Sequence, residues 1–139
     1  MSNTNHKAIK TKYAPEPVGP YNQAIKAGGW VFCSGQIALD PISGSMIGEG
    51  DIQKETEQVL KNLIAVLNAA GATPSQVIKT TIYLVDLKDF EKVNNIYSEI
   101  FTGNISPARA CVQVAALPKG GRVEIDCVAW EGQEGQEKT

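Results

Sequence analysis

At 139 residues, 42% of them hydrophobic and 20% charged, the chain has room for one globular domain and not comfortably for two. Its formal net charge of -2 argues against a dedicated nucleic-acid binder, which carries a basic surplus to offset phosphate repulsion, although a local patch can hide in a neutral total. No stretch approaches the roughly 18 apolar residues of a membrane span, and residues 1–12 hold no apolar h-region of a secretory signal.

Three cysteines, Cys33, Cys111 and Cys127, are odd in number and far apart, so neither a disulfide framework nor a CxxC metal knuckle is expected. A reducing cytosol is the expected compartment. The one histidine, His6, falls in a polar segment read as a mobile tail. Ser-His-Asp and Cys-His catalysis and histidine-based metal sites are thereby set aside.

Along the chain, Gly28-Gly29 reads as a turn leading into a strand at 30–34, and residues 40–44 as a turn cluster. Asp51 caps a helix whose apolar residues Ile52, Val59, Leu60, Leu63, Ile64 and Leu67 recur at three- and four-residue spacing, and Gly71 stops it. Residues 77–85, rich in β-branched side chains, read as a buried strand. Asp86 or Asp89 opens a second helix carrying Leu87, Phe90, Val93, Tyr97, Ile100 and Phe101 on one stripe, closed by Gly103 and Pro107. Strands at 108–114 and 122–130 follow, joined by a Pro-Gly turn at 117–121. The expected domain spans 1–139, with an ordered core over about 7–130 and flexible tails at 1–6 and 131–139.

Two amphipathic helices cover one face of a sheet and nothing remains for the other, which predicts an α+β sandwich. Alternation in the last two strands puts Arg109, Cys111 and Gln113 on one side and Ala108, Ala110, Val112 and Val114 on the other; it likewise opposes Arg122, Glu124 and Asp126 to Val123, Ile125, Cys127 and Ala129. With both apolar sets placed under the helices, Arg109, Cys111 and Glu124 are expected to converge on the open face. Cys111 and Val128 suit full exposure poorly, so a partner subunit is expected to cover part of it.

These residues allow a metal-free anion site. Arg109, at a strand start after a Ser-Pro turn, supplies the planar fork a carboxylate needs; a surface arginine or a structural ion pair with Glu124 is the alternative. Glu124 is a candidate general base in a shielded site, or a solvated strand carboxylate. Cys111 has no base to make it a thiolate and reads better as a small half-buried residue than as a nucleophile. Asn94 shares the Phe90–Tyr97 stripe, either in the site or as a cap or strand-edge contact. Tyr21 follows a stiff Gly-Pro step that holds a phenol in place, unless it is an ordinary packing tyrosine. Ser34-Gly35 offers a hydroxyl and a backbone N–H at a strand end. Spacing alone names no reaction.

Ala14-Pro15, Gly19-Pro20-Tyr21-Asn22-Gln23-Ala24 and Cys33-Ser34-Gly35-Gln36 resemble the N-terminal signature of the reactive intermediate (enamine/imine) deaminase family, also called the YjgF or endoribonuclease L-PSP family. Val93-Asn94, the run from Pro107 to Val112, Leu117-Pro118 and Val123-Glu124-Ile125 match in order, so the resemblance covers roughly residues 9–130. It implies a chorismate-mutase-like fold with two helices on one face of a mixed sheet. It also implies a homotrimer whose sheets line an inner barrel, with clefts between neighbouring subunits. The implied reaction is cofactor-free hydrolysis of 2-aminoacrylate-type enamines and imines, shed by pyridoxal-phosphate enzymes, to pyruvate or 2-oxobutyrate and ammonia. Carried over position by position, Arg109 clamps the substrate carboxylate and Glu124 positions or activates water. Tyr21 closes the cleft and takes part in proton transfer, Ser34, Gly35 and Asn94 line the pocket, and Cys111 contributes through its backbone. Pro17 and Asn22 depart from the family pattern beside Tyr21.

Two other classes stand beside this one. A translation-inhibiting ribonuclease, as the older family name has it, lacks here an acid/base pair for RNA cleavage and a basic stripe with aromatics. A non-catalytic ligand-binding or chaperone-like protein is less favoured because Arg109 is present.

Overall fold

The computed structural model describes residues 5–103 and 105–132. Eight main elements follow in order: β1 (His6–Ile9), β2 (Ala24–Ala27), β3 (Trp30–Gln36), α1 (Ile52–Ala69), β4 (Val77–Leu84), α2 (Phe90–Ile100), β5 (Ala108–Gln113) and β6 (Val123–Trp130). The strands form one mixed sheet in the order β1-β2-β3-β6-β4-β5. Only β4 and β5 are parallel, joined by the α2 crossover; β6 returns antiparallel between β3 and β4.

Local chemistry explains the boundaries. Asp51 accepts N–H bonds from Gln53 (3.0 Å) and Lys54 (3.2 Å), capping α1, and Gly71 leaves the helix at φ 84°. Gly28 and Gly29, both at positive φ (55° and 92°), make the two-residue turn that pairs Ala27 with Trp30. This hairpin supplies β2, an element not expected from the sequence.

The stretches expected to be flexible tails at 1–6 and 131–139 lie partly outside the described residues. Within them, two expectations are corrected. His6 belongs to β1, paired with Ala27. Glu131 is buried at 8% exposure and ion-paired with Lys26 at 3.0 Å, because its backbone N–H bonds Gly29 beyond the end of β6.

The core lies between the sheet and the two helices. Val59, Leu60, Leu63, Val66 and Leu67 of α1 and Val93 of α2 pack on Val31, Ile82, Leu84, Val123, Ile125 and Ala129. Asn62 is fully buried and donates to the carbonyls of Ile37 (3.1 Å) and Leu39 (2.9 Å), fixing the segment after β3. Glu55, also buried, accepts the backbone N–H (2.8 Å) and Nε–H (3.1 Å) of Arg122 and so ties the entry to β6 to α1. No helix among the described residues is long and apolar enough to cross a membrane.

Among the described residues no layer covers the other sheet face. Trp30 (40% exposed), Phe32 (47%) and Val112 (42%) stand on it, with Trp130 edge-on to Trp30 at 4.8 Å between centroids.

Candidate functional site

Sheet register decides which candidate residues meet. Paired residues of neighbouring strands project to the same face. Arg109 is opposite Thr80 and Cys111 opposite Ile82, both fully buried beneath the helices. Glu124 is opposite Tyr83 and belongs to the other face. The expected convergence of Arg109 and Cys111 with Glu124 on the open face is therefore wrong within one chain. So is the alternative of an Arg109–Glu124 ion pair. The reason is local to β5: as an edge strand it turns its small apolar set, Ala108, Ala110 and Val112, outward to the open face, and its polar set toward α2.

Two clusters result. The first gathers Arg109, Asn94 and Cys111 at the edge of the helix side. Arg109 Nη1 donates to Asn94 Oδ1 at 2.6 Å, and the guanidinium carbon lies 5.0 Å from the ring centroid of Tyr97 and 5.4 Å from that of Phe90. Tyr97 is buried and its hydroxyl is 2.7 Å from that of Thr80. Among the described residues no carboxylate pairs with Arg109. Burial pushes the Cys111 thiol up, against a smaller opposing pull from Arg109.

In the second cluster, Tyr21, Gly35 and Glu124 line one cleft with Pro15, Val18 and Pro118. Glu124 lies flat against Gly35: a β-carbon on residue 35 would sit 2.7 Å from Glu124 Cδ and 2.9 Å from Cγ. Burial, helped by the nearby Asp126 charge, raises the Glu124 carboxyl above its ordinary value. Asp126 in turn accepts the Tyr83 hydroxyl at 3.1 Å. Tyr21 is 43% exposed, and its phenol oxygen accepts the Val18 N–H at 3.2 Å. The Ser34 hydroxyl, expected to face an anion, donates to the Asn22 carbonyl at 2.6 Å and so holds the Tyr21-Asn22 segment.

Three contributing residues were not expected from the sequence. Gln23, 2% exposed, accepts the Thr11 N–H (2.7 Å), and its amide reaches the carbonyls of Thr11, Ala14 and Pro15 at 2.9–3.2 Å. It staples the segment leading to Tyr21 to the start of β2. A lone Gln beside a Gly-Pro turn carries no signal of that role. Phe90 and Tyr97 were read as core stripe; their spacing of seven with Asn94 between them was the available clue to a shared surface.

This sandwich matches a known family. The endoribonuclease L-PSP family model matches residues 11–131, and the chain belongs to that family, the reactive intermediate deaminase family of the sequence signature. A RutC family protein of Synechocystis is 54% identical over 123 residues, 88% of this chain and 95% of the relative. The human 2-iminobutanoate/2-iminopropanoate deaminase is 46% identical over 132 residues, 95% of each chain. The crystal structure of Escherichia coli TdcF with bound serine superposes with a TM-score of 0.84 at 39% identity, covering 89% of this chain and 98% of that one.

Proposed function

We propose that this protein is a homotrimeric imine deaminase that hydrolyses small 2-imino acids and their 2-aminoacrylate-type enamines to 2-keto acids and ammonia. The observation that carries this reading is the guanidinium of Arg109, held by neutral partners and matched by no carboxylate among the described residues. A guanidinium so placed is open to a substrate carboxylate, which it binds through a two-pronged, charge-assisted contact. The names of the mammalian relatives and the serine bound in TdcF agree with a small amino-acid-like ligand.

The clusters around Arg109 and Glu124 are separated by β4 and lie on opposite faces. At about 4.8 Å per strand, their backbones alone are roughly 10 Å apart, too far to grip one three- or four-carbon substrate. A second copy resolves this. The Arg109 cluster of one subunit meets the Tyr21–Gly35–Glu124 cleft of its neighbour, and the contact repeats around a ring. Three-fold closure also covers the exposed Trp30, Phe32 and Val112 of the open sheet face.

In that cleft Arg109 fixes the carboxylate and so the position of the adjacent C=N carbon. Glu124, raised by burial, takes a proton from water as the water oxygen bonds to that carbon. Glu124 returns that proton to the nitrogen, giving the carbinolamine; it then takes the carbinolamine hydroxyl proton and passes it to the nitrogen, directly or through the Tyr21 phenol, and the C–N bond breaks. The electron pair leaves with ammonia and the carbonyl forms. No cofactor enters this balance: imine and water give keto acid and ammonia. The test is ammonia release from imines generated in situ by an amino-acid oxidase, comparing wild type with Arg109→Ala. Acceleration by wild type and none by the variant is expected; equal rates contradict the reading.

A further inference from the structure

We infer that Phe90 and Tyr97 are positioning residues for Arg109, an aromatic seat that holds the guanidinium without neutralising its charge. This rests on the carboxylate-clamp reading above and extends it to residues that neither the sequence signature nor the relatives assign.

An arginine on an edge strand has long, freely rotating stems, and fixing it usually falls to an acidic partner. An acidic partner here would defeat the purpose, because it would compete with the substrate for the same fork. The molecule solves the problem with neutral groups. The guanidinium lies over two ring faces, Tyr97 at 5.0 Å and Phe90 at 5.4 Å, and gives one N–H to the Asn94 amide oxygen at 2.6 Å. Ring faces attract a cation through their quadrupole and leave its N–H edges open. Tyr97 is itself fixed: it is buried, its ring leans on Phe101 with centroids 4.5 Å apart, and its hydroxyl meets that of Thr80 at 2.7 Å beneath the sheet. The seat is thus anchored in the core, while the arginine it carries stands at the surface.

The experiment uses the full-length assembled protein. It reads kcat and KM for in-situ imines, the Kd of the product analogue 2-oxobutyrate by calorimetry, and Tm. Tyr97→Phe keeps the ring and loses the Thr80 bond, so Tm should fall with KM and Kd within twofold of wild type. Tyr97→Leu and Phe90→Leu should each raise KM and Kd about three- to thirtyfold with kcat little changed, the range expected when a cation–π contact is lost. Phe90 is only half-buried, so its variant reports even where Tyr97→Leu fails to fold. Asn94→Asp places a carboxylate on the same N–H and should weaken 2-oxobutyrate more than about tenfold, as an added competing charge-assisted bond requires.

Wild-type KM and Kd in Phe90→Leu and in folded Tyr97→Leu, alongside lost binding in Arg109→Ala, would overturn the seat and leave the clamp standing. Unchanged or tighter binding in Asn94→Asp would overturn the claim that neutrality matters. Wild-type binding in Arg109→Ala would remove clamp and seat together.

Discussion

Gly35 and Glu124 occupy adjoining strands so closely that residue 35 has no room for a side chain: its β-carbon would come within 2.7 Å of the Glu124 carboxyl carbon. The backbone of Gly35 does not require glycine, since it is not among the glycines with positive φ; the constraint is space alone. Gly35→Ala should push the carboxylate out of the cleft. Turnover should drop at least tenfold while stability in urea unfolding stays close to wild type, because only the free end of the Glu124 side chain has to move. A fully active Gly35→Ala enzyme would show that Glu124 need not sit where it does.

Glu124 should also govern the pH response. Burial lifts its carboxyl above the ordinary value of about 4.3, so the folded protein binds that proton more tightly than the unfolded chain does. The resulting stability is full below about pH 4.3 and is lost as pH rises through the raised value. Glu124→Gln should therefore be more stable than wild type at neutral pH, with the gap closing in acid. In kinetics, the acid limb of the wild-type profile should fall above pH 4.3 or so and be absent in the variant. Thermal unfolding and kcat measured across pH 4–8 check both signs.

Much of the fold was legible. The α1 cap at Asp51, its stop at Gly71, the strand β4 and the Phe90–Tyr97 part of the α2 stripe follow from spacing and cap chemistry and stand where expected, whereas Leu87 lies exposed in a tight turn before α2 and β4 is buried on one face only. The short strands β1 and β2 were not legible, because four-residue strands that each carry one lysine show no usable period. The orientation of β5 was misread for a deeper reason. Alternation tells which residues share a face but not which face is inner. In an edge strand the apolar set can serve a neighbouring molecule rather than this chain's own core. That ambiguity moved Arg109 and Cys111 to the wrong side of the sheet. The candidate residues were thus assembled on the wrong faces relative to one another.

Cys111 illustrates the difference between position and reactivity. It sits beside Arg109, yet burial keeps its thiol protonated above the ordinary range. Cys111→Ser should retain at least about a third of wild-type kcat/KM, a loss smaller than 1 kcal/mol in transition-state binding. Iodoacetamide should label the native thiol slowly at pH 7.5. Abolished turnover in a folded Cys111→Ser protein would instead make sulfur the nucleophile.

Gln23 holds the cleft wall from behind. Replacing it with Leu leaves the Thr11, Ala14 and Pro15 carbonyls without their buried donor and should cost on the order of 2–4 kcal/mol. Because Tyr21 rides on the same segment, hydrogen exchange over 11–21 should accelerate in the variant more than exchange in α1. Uniform acceleration across both would make Gln23 a general core residue rather than a loop staple.

The proposal of a site shared between two copies is tested most directly by mixing two crippled chains. Arg109→Ala keeps the Glu124 cleft intact, and a Glu124 variant with lost turnover keeps the Arg109 cluster intact. Co-refolded at equal ratio and assayed for ammonia release from in-situ imines, a ring of shared sites should regain about a quarter of wild-type activity, the fraction of interfaces that draw each sound half from a different parent. Activity no greater than the mean of the two parents assayed alone would contradict a site shared between subunits.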